Sequence, residues 1–251
     1  MNKLKILSNV RVVLSHTTHP GNIGAAARAM KTMGLEQLYL INPKHFPDKQ
    51  AVAMATGADD VLSNAIVCSS IDEALQGTVF VAAMTARLRD ISHEVFTPRE
   101  AMPLLAQHAV KQPVALLFGT EMAGLTNEEM GKSHVLVRIP ANPAFSSLNL
   151  ASAVQVACYE LCVAMDYAGF QLQQPAVDLA KHEELERLYI HLEEALKQIG
   201  FFKTKSANKL MLKLRRLYAR ARLEQEEINI LRGILSAATE YNTRLSNKVS
   251  E

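Results

Sequence analysis

The segment 139–164, IPANPAFSSLNLASAVQVACYELCVA, constrains the fold more than any other stretch of the chain. A β-like run, Val135 to Ile139, passes two prolines and enters a long apolar helix. Ser146, Ser147 and Asn149 stand at the junction. Such residues cap helix starts, because a side-chain oxygen accepts an orphan backbone N–H. The same start offers free N–H donors to a polar ligand. Past Asn149, only Ser152, Gln155, Tyr159 and Glu160 break the apolar surface of the 148–164 helix. Nearly its whole circumference asks for burial. One domain core rarely covers a helix on every side, so this helix predicts a subunit interface.

Charge is unevenly spread. The formal net charge is only +2, but residues 1–175 carry 13 Lys/Arg against 14 Asp/Glu, and the remaining 76 carry 14 against 11. Lys203, Lys205, Lys209, Lys213, Arg215, Arg216, Arg220 and Arg222 fall in one span without an acid. On a helix, Lys209, Lys213, Arg216 and Arg220 share one stripe. Such a stripe is either a solvated face or a phosphate-binding one, and the missing acids favour a nucleic-acid partner with salt-dependent binding. Cys68, Cys158 and Cys162 are too few and too irregular for a disulfide framework or a zinc site, and read as small buried hydrophobes. The start MNKLKILSNV lacks a signal-peptide block. The apolar helix carries Gln155 and Glu160, which argues against a membrane span and for a cytoplasmic protein.

In chain order, Val10–Leu14, Leu38–Ile41, Ile66–Cys68, Thr78–Ala83, Val114–Phe118 and Val135–Ile139 read as strands. Pro20, Gly21, Asn22 and Gly24 predict a tight turn before a helix over Ala25–Met33 that Gly34 stops. Further helices are expected at Gln50–Ala55, Ile71–Gln76, from Thr97-Pro98, and within MAGLTNEEMGK. A polar loop with Arg87, Arg89, Asp90 and His93 separates two of these elements. Alternating strands and helices, with uniformly apolar strands, predict a parallel α/β sheet covered on both faces. This domain spans 1–168. A polar linker, 169–177, leads to a helical extension, 178–251, with no strand pattern. Leu185, Leu188, Leu192, Ala195 and Ile199 mark its first helix, and Leu210, Leu214, Leu217 and Ala221 the second. Ile228, Leu231, Leu235, Ala238 and Leu245 mark a third, with Gly233 inside it.

Several familiar sites are missing from the sequence. No Gly-x-Gly-x-x-Gly follows the first strand, and there is no Walker loop or Gly-x-Ser-x-Gly elbow. His16 and His19 lack partners at metal-ligand spacing, so no metal is expected. What remains is three loops at the C-terminal ends of strands, the edge where open α/β sheets bind ligands. They carry Asn22 and Arg28; Gly119 and Glu121; and Ser146, Ser147 and Asn149. Taken singly, Arg28 also suits a surface ion pair and Glu121 a helix N-terminal acid.

NIGAAARAM, LLFGTEMAGLTNEE and IPANPAFSSLNLASAVQVACYE resemble the three motifs of the SPOUT-class RNA methyltransferases in their SpoU/TrmH branch. The Asn-x5-Arg, FG-x-E and SSLN spacings all match, over roughly Val10 to Ala164. The ARAMKTMG continuation and the helical extension narrow the resemblance to enzymes that 2′-O-methylate cytidine or uridine at position 32 of tRNA. The resemblance implies a parallel sheet ending in a trefoil knot at about 114–168, a homodimer through the 148–164 helix, and S-adenosylmethionine as methyl donor, leaving S-adenosylhomocysteine. By position it implies cofactor contacts at Met84, Thr85, Ala86, Gly119, Ile139, Ser146, Ser147 and Leu148. It places the catalytic arginine on Arg28, supported by Asn22, Glu121, Ser147 and Asn149, and leaves RNA to Arg28 and the basic span. A sister enzyme of another tRNA site or of ribosomal RNA, and an inactive RNA-binding relative, remain alternatives at this point.

Overall fold

Continuous apolar runs become central strands because only a sheet covered on both faces can bury every side chain of a run. In the computed structural model, which describes residues 3–86, 94–166, 178–202 and 207–249, both Phe80–Met84 (β4) and Val114–Phe118 (β6) are buried along their full length. The other strands are Val10–Ser15 (β1), Gln37–Ile41 (β2), Ile66–Cys68 (β3), Val95–Phe96 (β5) and Val135–Val137 (β7). All pairings are parallel, in the order β3-β2-β1-β6-β4-β7-β5. The register sets the site. Leu14 pairs with Phe118, Ala83 with Leu117, and Met84 with Val137, so the loops after β1, β4, β6 and β7 leave the sheet at one edge.

Helices Lys3–Leu7 (α1), Pro20–Thr32 (α2), Lys49–Ala55 (α3), Asp59–Ser63 (α4), Ile71–Leu75 (α5), Pro98–Ala109 (α6), Asn127–Met130 (α7) and Leu150–Asp166 (α8) complete the first compact unit, Met1–Ala176. On one sheet face Val13, Val81, Ala115, Leu117 and Leu136 pack with Leu75 and Met130 from α5 and α7. Helix α8 packs against both α2 and α6, and α6 and α8 pack against β6. The sequence did not signal α1, α4 or the two-residue β5, because such short elements carry too few residues for a period to show.

Strands β4 and β7 are shifted or shortened by two residues from expectation, and two helix starts differ for a local reason. The predicted turn at Pro20–Gly24 is the first turn of α2. Pro20 supplies a preset φ at the first helical position, and His19 Nδ1 accepts from Gly21 N at 3.2 Å. Gly24 is needed for packing, since a Cβ there would run into the Ala51 carbonyl of α3. Helix α8 begins two residues later than expected, because Asn149 Oδ1 caps it through Ala151 N at 2.9 Å and Ser152 N at 3.4 Å. Residues 146–148 therefore stay in a loop. Within this one subunit α8 is covered on one side only: Val154, Ala157, Cys158 and Leu161 are fully buried. Ser152 and Tyr159 are exposed, and Val156 and Val163 beside them are half-buried. The cysteines do behave as small hydrophobes, all three free and buried.

The second unit, Val177–Glu251, holds His182–Gln198 (α9), Ala207–Ala221 (α10) and Gln225–Val249 (α11). Its core joins Leu185, Leu188 and Tyr189 to Leu223 and Ile228, with Tyr218, Leu231 and Leu235 packed against it. Gly200, in the left-handed region at φ 71, follows α9 as expected. Helix α10 is rotated from the predicted face: Met211 and Ala219 are buried, and Leu217 is 49% exposed. The cause is Arg215, which turns inward to make a two-pronged ion pair with Glu186 at 2.6 and 2.8 Å and lies 4.3 Å from the Tyr189 ring centroid. The loop around Arg87 to His93, the linker 169–177, and Lys203, Lys205 and Ser206 lie outside the described residues. No helix among the described residues is long and apolar enough to cross a membrane.

Candidate active site

Because four parallel strands end at one level, loops far apart in the chain can wall one cleft. Its volume is about 800 Å³ counted out through the open mouth. Met84, Thr85 and Ala86 come from the end of β4, Gly119 from the end of β6, Ile139 from beyond β7, and Ser146, Ser147 and Leu148 from the loop before α8. The structure brings all eight residues singled out in the sequence to this cleft. It adds Phe118, Met122, Leu125, Leu150 and Ala153 as apolar wall, and Thr120 and Glu121 as polar wall. Sequence reading missed these as wall residues because burial at a loop tip has no period; the only cue was the glycine spacing in FGTEMAG.

Gly119 has a steric reason to be glycine. The loop after β6 folds back as a Thr120–Gly124 bridge, with Gly124 N donating to Thr120 O at 2.9 Å. A Cβ on Gly119 would collide with the backbone of Gly124 and Leu125. Gly124 itself sits at φ 68, where glycine is favoured.

A hydrogen-bond chain ties the three loops together. Asn149 Nδ2 donates to Asn22 Oδ1 at 2.9 Å, and Asn22 Nδ2 donates to Glu121 Oε1 at 2.9 Å. Glu121 also accepts from Thr18 N and His19 N, both at 3.1 Å, and from Thr18 Oγ1 at 2.9 Å. The carboxylate thus sits at the start of α2, where backbone N–H groups and the helix dipole favour negative charge. Partial burial alone would raise its pKa. The hydrogen bonds from Asn22 and from the backbone of Glu121, Thr18 and His19 outweigh that and hold it at about 2. Glu121 is therefore an anion fully occupied as an acceptor, suited to fixing the loop and not to taking a proton.

Arg28 does not join this group within one subunit. It is exposed on α2, six residues and about 9 Å along the axis beyond Asn22, and is not part of the cleft wall. It shares the outer face of α2 with Thr32, whose Oγ1 reaches Gln155 of α8 at 3.5 Å. Arg28 therefore stands beside the uncovered side of α8. In the second unit Lys209, Lys213 and Arg220 are exposed on one side of α10, while Arg216 and Arg222 are half-buried. Arg216 Nε is buried without a hydrogen-bond partner among the described residues, and Arg215 is committed to Glu186.

The Glu121 anchor predicts a pH signature. Its folded pKa lies below the unfolded value near 4.5, so its contribution to stability is complete above about pH 4.5. That contribution is lost as pH falls through about 2. Glu121→Gln presents N–H donors to N–H donors, and should cost about 1–3 kcal/mol at pH 7. Urea unfolding measured between pH 2 and 7 should show the variant less stable at neutral pH and flatter across the acidic range. Equal stabilities at pH 7 would remove the anchoring role.

Comparisons with known proteins agree with this geometry. The SpoU rRNA Methylase family matches residues 9–159, and a "tRNA methyltransferase TrmJ, C-terminal domain" family matches residues 183–248. A tRNA (cytidine/uridine-2′-O-)-methyltransferase TrmJ of Pectobacterium atrosepticum is 49% identical over 235 residues, spanning 92% of this chain and 97% of the relative. The crystal structure of TrmJ from Z. mobilis superposes with a TM-score of 0.79 at 35% identity, covering 90% of this chain and 97% of that one. The SpoU methyltransferase AviRb from Streptomyces viridochromogenes, in complex with the cofactor AdoMet, gives a TM-score of 0.50 at 25% identity, over 62% of this chain and 60% of that one. With two motifs walling one cleft, the first tied to it through Asn22, and matches of this extent, the chain belongs to the SpoU rRNA Methylase family.

Proposed function

We propose that this protein transfers a methyl group from S-adenosylmethionine to a ribose 2′-OH of tRNA, at cytidine or uridine in position 32 of the anticodon loop. The observation that carries the proposal is the cleft walled by the second and third motifs, to which the first is tied by the Asn22–Glu121 hydrogen bond. Its residues suit the cofactor. Phe118, Leu125, Ile139 and Leu150 offer an apolar bed, Ser146 and Ser147 offer hydroxyls, and Gly119 lets backbone come close where a side chain would block it. The cofactor supplies an electrophilic methyl on a sulfonium. The ribose oxygen forms the new bond to that methyl as the S–CH3 bond breaks, and the 2′-OH proton leaves to phosphate or water.

A ribose hydroxyl is a weak acid, so its developing negative charge needs a fixed cation. Arg28 is given that role. Guanidinium side chains keep their proton in proteins, which makes Arg28 an organiser of phosphate and 2′-OH and not a general base. Its distance from the cleft wall of its own subunit fits a homodimer in which each Arg28 serves the partner's cleft. The half-open stripe Ser152, Val156, Tyr159 and Val163 on α8, flanked by Gln155 and by Arg28 on α2, supplies the contact surface. Asn22, Glu121 and Asn149 hold the loops, and Ser147 orients groups at the cleft. We further infer a trefoil knot over about 114–168. The insertion of β6 between β1 and β4, with β7 beyond β4, is a strand order that supports such threading. The protein would work in the cytoplasm, where its tRNA substrate is found.

The helical unit is assigned to tRNA through Lys209, Lys213, Arg216 and Arg220, with Lys203, Lys205 and Arg222 alongside. Arg215 is assigned to the fold instead, since Glu186 already neutralises it.

Incubation of unmodified tRNA with labelled S-adenosylmethionine, followed by mapping of the labelled ribose, tests the reaction. Label at C32 or U32 is expected, and label on another tRNA site or only on ribosomal RNA replaces the substrate assignment. Arg28→Ala and Arg28→Lys should each lower single-turnover rates about 100-fold or more, corresponding to about 3 kcal/mol of transition-state stabilisation; full turnover in either removes the arginine from the chemistry. Val156→Glu should give a monomer by light scattering and lose methyl transfer, whereas an active monomer would refute the shared site. Replacing Lys209, Lys213 and Arg220 together with Ala should weaken tRNA binding and reduce the slope of log K against log salt by about 2–3. An unchanged slope would return the stripe to plain solvent.

A further inference from the structure

Two large apolar side chains of the catalytic unit are left far more open than any packing need explains. Met122 is 87% exposed and Phe145 is 80% exposed. Both belong to the loops that wall the cleft: Met122 lies in the 119–125 loop, and Phe145 immediately precedes Ser146, Ser147 and Leu148. Phe145 itself is not part of the cleft wall. Its three successors line the cleft, while its own ring is left to solvent one residue before them. The backbone there is held in a defined turn, with Phe145 N donating to Asn142 O at 2.9 Å and Ala144 N to Asn142 Oδ1 at 3.0 Å. An exposed aromatic on a fixed turn, beside a site for ribose chemistry, asks for a flat partner.

We propose that Phe145 is a substrate-binding residue, the platform on which the nucleobase of the target nucleotide stacks once that nucleotide leaves the helical stack of the tRNA. The inference rests on the reading of the cleft as a tRNA 2′-O-methyltransferase site. To reach a methyl donor seated in the cleft, the ribose must be drawn out of its stacked row, and its base loses its neighbours as it comes. Proteins that read splayed-out RNA bases recover that loss by stacking them on aromatic side chains. Every base has a π-face, so stacking is tolerant of base identity, in keeping with one platform serving both cytidine and uridine. Met122, on the other loop at the mouth, adds a flexible apolar contact to the extruded nucleotide.

The test uses the full-length protein and an unmodified tRNA transcript that the wild type methylates. Phe145→Ala should lower kcat/KM for tRNA about 5- to 100-fold. Its melting temperature and oligomeric state should not move, since the side chain is mostly exposed. Cofactor affinity, titrated calorimetrically without RNA, should stay within about twofold of wild type, because Phe145 is no part of the cleft wall. Phe145→Tyr and Phe145→Trp should restore activity, and Phe145→Leu, apolar but not flat, should not. Equal activity of the Leu and Phe proteins overturns stacking, as does unimpaired Phe145→Ala. A parallel loss of cofactor affinity overturns it in favour of a cofactor-covering role. A wild type that methylates no tRNA defeats the functional reading and this inference together, whereas an active wild type with an indifferent Phe145 defeats this inference alone.

Discussion

The Asn149–Asn22–Glu121 relay is the interaction on which the site depends. It crosses 127 residues of chain from Asn149 to Asn22 and 99 from Asn22 to Glu121, joining the cap of α8, the first turn of α2 and the loop after β6. Each member has a second structural duty. Asn149 caps α8 with its own carbonyl oxygen, Asn22 sits inside the N-terminal turn of α2, and Glu121 accepts the free N–H groups at that helix start. Displacing one loop would therefore break a cap as well as a contact. Because hydrogen bonds share partners here, the loops are held as a unit and not as three independent segments.

That coupling lets loops form a precise cleft although loops are the least ordered parts of most folds. The parallel register delivers Met84, Phe118 and Val137 to one edge of the sheet. The relay then fixes the loops that extend beyond the β6 and β7 ends. The glycine at 119 is dictated by the fold-back of its own loop at Gly124 and Leu125. The wall combines apolar side chains such as Phe118, Leu125, Ile139 and Leu150 with the polar Thr85, Ser146 and Ser147, an arrangement suited to holding a large organic donor and an RNA oxygen in line.

Helix α8 shows how one element can serve a core and a surface at once. Its buried side packs against α2 and α6, while Tyr159 is exposed and Val156 and Val163 are half-buried. Glu160 at the margin is held by Arg99 through contacts of 3.1 and 2.8 Å, so the one acid in the apolar part of the helix is neutralised within the subunit. In the helical unit, Arg215 divides an apparently uniform basic run. One arginine turns inward to Glu186 and Tyr189, while Lys209, Lys213 and Arg220 are exposed.

The sequence by itself determined the α/β class, most strand positions and the helical extension, and the resemblance of its motifs marked eight of the residues that wall the cleft. Those features depend on apolar runs, on three-four periodicity, and on short motifs whose residues are contiguous, all of which are local. Only the tertiary structure decided that Pro20–Gly24 is helix and not turn, because Gly24 answers to Ala51 on a different helix. It decided that Glu121 is an anchored acceptor and not a titrating acid, because its donors come from Thr18, His19 and Asn22. It decided that Arg28 stands apart from its own cleft and that Arg215 is a core partner, because charge in a sequence carries no direction. Contacts between residues a hundred positions apart depend on where the chain returns, and that is fixed by the packing of the whole sheet.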